Sequence, residues 1–195
     1  RWMLSDGAGA LYLGKQPNAE GMSFKIKWID LVSYANEMPV CMYGGGQVQE
    51  GQFSGWKEYS QAYRDTHSLM SIKQDVKLLN EHIIRYTVEK ALQHALARYD
   101  VQAHEVDYFL PHYSSGYFRD KVYAGLQNIG FEIPFEKWFT NLPSKGNTGS
   151  ASIYIMLEEF ARTHTLSHGQ KILCYIPESG RFSSSFMLLE VVKHG

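Results

Sequence analysis

The sequence predicts an α/β protein, a mixed sheet covered by helices, and three observations carry that expectation. Short apolar runs of strand length alternate along the chain with longer stretches of helical period. The segment Phe24-Lys25-Ile26-Lys27-Trp28-Ile29 alternates apolar with polar residues, as a half-buried strand does. The final two apolar runs, residues 171–176 and 186–192, are joined by a short polar turn rich in small residues, which pairs strands antiparallel.

Taken in order, Asp6-Gly7-Ala8-Gly9-Ala10-Leu11-Tyr12-Leu13 reads as a tight small-residue turn running into a strand. The alternating run at 24–29 is the next strand. Over residues 36–56 the pattern dissolves, with Pro39, Gly44-Gly45-Gly46, Gly51 and Gly55 marking an irregular insertion whose aromatic residues imply that it packs on something. Ile72, Val76, Leu79, Ile83, Tyr86, Ala91 and Ala95 recur at helical steps and predict a helix from about 72 to 99. Val106-Asp107-Tyr108-Phe109-Leu110 is a buried strand stopped by Pro111. A helix over 117–128 ends at Gly130 as C-cap, and a second over 150–162 places Ile153, Met156, Leu157 and Phe160 on one face.

The composition narrows the function classes. The chain has 195 residues, enough for one compact domain with a full core, and its 44% hydrophobic and 20% charged content is that of a globular protein. A formal net charge of −1 offers no bulk attraction to nucleic acid or an anionic membrane. No apolar run approaches the ~20 residues that span a bilayer, and no signal peptide opens the chain. The start, Arg1-Trp2-Met3, reads as though an upstream portion had been cut away. Two cysteines, Cys41 and Cys174, are too few for a disulfide framework or a cysteine metal site, so a reducing cytoplasm is expected and no metal.

Chemistry is available in three loops. Leu110-Pro111-His112 presents a histidine at the carboxyl end of a strand, where open α/β sheets place ligands and a neutral imidazole can donate a hydrogen bond or act as base. Gly146-Asn147-Thr148-Gly149-Ser150-Ala151-Ser152 precedes a helix; its glycines admit close backbone approach, and the Asn147 amide can donate to an oxyanion. Pro177-Glu178-Ser179-Gly180-Arg181-Phe182-Ser183 is a turn whose N–H groups can form part of an oxyanion hole. Each has a structural account too: a satisfied strand-end histidine, an N-cap at Asn147, Thr148 or Ser150, and a hairpin glycine.

In order along the chain, these loops and the opening Asp6-Gly7-Ala8-Gly9-Ala10 resemble the C-terminal signature of the β-ketoacyl-acyl carrier protein synthase III family. The resemblance implies the C-terminal half of a thiolase-like fold and a Cys-His-Asn site in which His112 and Asn147 are the catalytic histidine and asparagine. It implies that the Gly180 N–H serves the second oxyanion and, more weakly, that Phe182 and Arg119 contact substrate. No cofactor is expected. The implied partners are acyl-coenzyme A or acyl-carrier protein, malonyl-carrier protein, the N-terminal half that carries the nucleophilic cysteine, and a second copy in a homodimer.

Neither cysteine present fits the nucleophile: Cys41 lies in the irregular insertion and Cys174 in mid-strand. The chain alone is therefore expected to be inactive. It departs from the family at Tyr113-Ser114-Ser115, where Gln-Ala-Asn is usual, and at Ser179-Gly180-Arg181, where a triple glycine is usual. Two other readings stand beside condensation: acyl transfer to a hydroxyl or amine with His112 as base, and a non-catalytic partner subunit of a ketosynthase.

Overall fold

The computed structural model describes residues 4–193. In chain order its elements are β1 (Met22–Ser33), β2 (Met42–Tyr43), β3 (Gly46–Gln49), β4 (Gln52–Gly55), α1 (Gln61–Thr66), β5 (Lys73–Gln74), α2 (Val76–Ile83), a π-helical stretch Ile84–Lys90, α3 (Ala91–Leu96), β6 (Tyr108–Pro111), α4 (Arg119–Asn128), α5 (Leu142–Lys145), α6 (Ser152–Thr163), β7 (Lys171–Glu178) and β8 (Ser183–Lys193). The main sheet has the order β1-β8-β7-β6. β6 and β7 run parallel, whereas β7–β8 and β1–β8 are antiparallel. The expected mixed sheet is thus present, and its last two strands form the expected antiparallel pair.

Both faces of this sheet are covered, which explains why β7 reads as a continuous apolar run and not as an alternation. Ile172 and Cys174 point to one side, where Ile153, Met156 and Phe160 of α6 complete a core. Leu173 and Tyr175 point to the other, against Val88, Leu92 and Ala95 and against Val122 and Leu126 of α4. β1 is tied to the second layer by its buried Asp30, whose carboxylate accepts from His94 Nδ1 at 2.7 Å and from an Arg98 guanidinium nitrogen at 2.6 Å. α4 ends as its glycine requires. Gly130 takes φ +71°, its N–H donates to Gln127 O, and the Phe131 N–H reaches back to Leu126 O.

The long helix departs from its expected bounds. It starts at Val76, where the Asp75 side chain accepts the Leu78 N–H at 2.9 Å, and Ile72 and Val76 are exposed. Within it, the wider π turn shifts the inward face, so Thr87 and Val88 are buried between Ile83 and Ala91. Thr87 Oγ1 lies 2.6 Å from Ile83 O and 2.6 Å from the Tyr175 hydroxyl, while Ser184 Oγ donates to Thr87 O at 2.8 Å. The aligned groups tie helix to sheet beneath His112. Thr87→Val would leave a fully buried Tyr175 hydroxyl without this partner. A loss of about 1–3 kcal/mol is expected in denaturant unfolding, with Thr87→Ser retaining most of the stability; equal midpoints for all three proteins would contradict this role.

The opening segment is a correction. Residues 4–13 form no strand, because the described chain offers them no sheet partner. They lie instead across the start of α6, where a side chain at Gly7 would press on Thr148 and one at Gly9 would overlap Tyr154. The region from 36 to 56 is not wholly irregular either: β3 and β4 form one ribbon, and β2 pairs with β5. Among the described residues, no helix is long and apolar enough to cross a membrane.

Candidate active site

His112 is the first residue beyond β6. Its N–H continues the parallel ladder by donating to Tyr175 O at 2.8 Å, so the imidazole is held at the carboxyl edge of the sheet. There it lines a cavity of about 300 Å³. Burial pushes its pKa down from 6.5 to about 4, which keeps the ring neutral at physiological pH. A neutral imidazole donates one hydrogen bond without bringing a proton to be lost.

Asn147 reaches the same cavity from the loop before α6. Gly146 precedes it at φ +74°, with Ser5 packed where a side chain would stand. The Ser5 N–H donates to Asn147 O at 2.7 Å, so the opening segment straps the loop down. Asn147 Oδ1 accepts the Gly149 N–H at 3.1 Å, an Asx turn made possible by Gly149 at φ +58°. That bond fixes which end of the amide is committed. Asn147 is 8% exposed, and among the described residues the hydrogen bond its side chain makes is through Oδ1. Neither Asn147 nor Thr148 caps the helix; Thr148 Oγ1 pairs instead with Ser152 Oγ at 2.9 Å.

The walls are apolar, from Met42, Leu79, Ile83, Ile84, Phe118 and Val122, with polar points at His112, Ser114, Asn147, Glu178 and Ser179. Met42 comes from the 36–56 region, so that excursion builds part of the cavity. A more open groove of about 430 Å³, bordered by Ser5, Ser115, Gly116 and Pro143, shares Ser114 and Asn147 with it.

Gly180, Phe182 and Arg119 are placed differently from the two polar residues. The Gly180 N–H is already taken by Glu178 Oε1 at 2.8 Å, and its carbonyl accepts the Cys41 N–H at 2.9 Å. Phe182 is fully buried, at φ +50°, and packs with Leu79, Ile83 and Phe118 behind the cavity wall. Arg119 opens α4 on the surface, with its guanidinium 3.8 Å from the Phe135 ring centre, and does not line the cavity. Cys41 is buried and its thiol is pushed up to about 11, first by burial and then by Asp75 and Glu178. Cys174 is buried in β7 and likewise pushed well above the usual thiol range by burial. Neither environment generates a thiolate at neutral pH.

Three contributors carry no strong sequence signal. Met42 sits in a glycine-rich stretch without periodicity, and Ser5 is one serine in a small-residue run. Glu178 is visible in the sequence only as a bulky neighbour of the turn, and nothing there shows that it folds back onto Gly180.

Residues 96–177, which include both His112 and Asn147, match the model of the 3-oxoacyl-[acyl-carrier-protein] synthase III C terminal. The chain is 24% identical over 193 residues to acetoacetyl CoA synthase NphT7 of Streptomyces sp. (strain CL190), covering 96% of this chain and 52% of that protein. It is 26% identical over 171 residues to β-ketoacyl-[acyl-carrier-protein] synthase III of Clostridium perfringens, covering 88% and 47%. The chain thus spans about half the length of these curated relatives. Among solved structures, the tetronic acid condensing enzyme AbyA1 superposes with a TM-score of 0.64 at 16% identity over 86% of this chain and 45% of that one. The synthase III of Thermus thermophilus gives 0.62 at 14% identity over 89% and 47%.

The fold is the thiolase-like one of these solved structures, and the chain aligns with somewhat under half of each. Over residues 96–177 the chain is similar to the C-terminal part of the β-ketoacyl-acyl carrier protein synthase III family.

Proposed function

We propose that this chain supplies the enolate-stabilising donors of a decarboxylative Claisen condensation, in a protein whose N-terminal half carries the nucleophilic cysteine. The observation that carries the reading is that His112, held neutral by burial, and Asn147, with Oδ1 committed to Gly149, line one cavity from separate loops. In this reaction the cysteine first takes an acyl group from acyl-coenzyme A or acyl-carrier protein, releasing the carrier thiol. Malonyl-carrier protein then loses carbon dioxide, and the electrons of the broken C–C bond become an enolate at the thioester. Two neutral donors aimed at the enolate oxygen stabilise that charge as it develops. The α-carbon attacks the acyl carbonyl, and collapse of the tetrahedral intermediate frees the cysteine thiolate and the 3-oxoacyl product. The protein works as a homodimer.

The test is product analysis on the full-length protein supplied with acyl and malonyl donors. One carbon dioxide per 3-oxoacyl product is expected, and neither from the 195-residue chain alone. Acyl transfer without carbon dioxide would replace condensation by simple acyl transfer, and turnover by the 195-residue chain would place the nucleophile within it.

A further inference from the structure

We propose that Asn141 and Glu159 are positioning residues for Asn147: one hydrogen bond between them sets the direction of α5, and through it the loop that carries the Asn147 amide. Asn141 is buried, and its Nδ2 donates to Glu159 Oε2 at 2.8 Å. A carboxylate accepts, so the Asn141 amide turns its nitrogen this way. Neither residue lines the cavity that holds His112 and Asn147, so the pair acts on that site through the backbone.

The shortness of α5 is what makes this bond matter. The helix holds only Leu142–Lys145, too few residues to keep a direction of its own, so its course follows from what pins it. An asparagine just before a helix ordinarily folds its side chain back onto the first turn. Asn141 leaves that turn uncapped and reaches α6 instead. Its carbonyl carries α5, accepting the N–H of Ser144 at 3.0 Å and of Lys145 at 2.9 Å, and the Ser144 hydroxyl at 3.1 Å. The constraint passes on through the Gly146 N–H, which donates to Leu142 O at 2.9 Å, and Asn147 follows directly. At the other end the anchor is firm, because Glu159 stands on α6 beside Met156 and Phe160, which are packed in the core. The bond joins residues 18 apart in the chain and so brackets the Asn147 loop from both sides. Its consequence for the reaction rests on the condensation reading above; the coupling of the pair to the loop does not.

The test takes the full-length protein with Glu159→Ala, Glu159→Gln and Asn141→Ala. Glu159→Ala is expected to lower condensation about tenfold, with KM for malonyl-carrier protein and the rate of cysteine loading unchanged. Glu159→Gln, whose Oε1 still accepts, should restore most of the rate. In an Asn147→Ala background Glu159→Ala should cost nothing further, because the pair acts through that amide. A second readout needs no turnover. With nitrogen-isotope labelling of asparagine, the Asn147 side-chain signal, assigned by its loss in Asn147→Ala, is expected to move in Glu159→Ala and to return in Glu159→Gln. The same spectra report folding, and should Glu159→Ala fail to fold, Asn141→Ala cuts the same bond from the other side. An unmoved Asn147 signal in a folded variant, equal losses of loading and condensation, or a further loss in the Asn147→Ala background overturns the positioning role. A wild type that yields no 3-oxoacyl product defeats the condensation reading, while the spectra still decide whether the pair holds Asn147.

Discussion

His112→Ala is expected to lower condensation by the full-length protein by on the order of a hundredfold or more, while loading of the cysteine proceeds. The separation follows from where charge develops. Loading forms no enolate, so it does not call on a donor placed for the malonyl oxygen. Condensation does, and a lost donor in a largely apolar cavity is not replaced by water at equal strength. Because burial holds the ring neutral down to about pH 4, its contribution should be flat between pH 5 and 8. A condensation rate that rises or falls through pH 6.5 because of this residue would contradict the neutral-donor role.

The same shift makes a stability prediction. A histidine whose pKa is depressed in the folded state stays neutral there while the unfolded chain takes up a proton. Its effect is absent above about pH 6.5 and grows against the folded state as pH falls toward 4. For a move from 6.5 to about 4 this amounts at most to roughly 3 kcal/mol. His112→Gln should therefore lose less stability than the wild type on acidification across that window. Parallel losses would contradict the burial of the neutral ring.

Asn147→Asp should be more damaging than Asn147→Ala, lowering condensation by on the order of a thousandfold. The substitution is nearly isosteric, and one carboxylate oxygen can keep the Gly149 N–H that Oδ1 now accepts. The other replaces a donor by a negative charge where the enolate oxygen must form. Thermal unfolding should change little, because the Asx turn survives. If the aspartate variant condensed as well as the alanine variant, the amide nitrogen would not be the group that faces the enolate.

Much of this was legible from residue pattern. β1, β7 and β8 are apolar strands bounded by turns, and α6 shows one apolar face, so the layered mixed sheet follows from periodicity. His112 and Asn147 each have a sufficient structural account in the sequence, and only the family resemblance of the loops, taken in order, singles them out; the structure brings both to one cavity. What failed was non-local. The start of the long helix misled because Ile72 and Val76 continue the period while remaining exposed, and the π turn displaces the inward face within it. Residues 10–13 have strand character, but a strand needs a neighbour, and its absence from the described chain is not written in the segment itself. The fate of the Gly180 N–H depended on a side-chain rotation of Glu178, which no spacing rule encodes.

The most direct test of the account is the intact mass of the full-length protein after incubation with a panel of acyl-coenzyme A and acyl-carrier donors, with the modified peptide mapped. The account predicts one acyl-sized gain on a cysteine upstream of Arg1 and none on Cys41 or Cys174. An adduct on either of those two, or no gain with any donor, would contradict it.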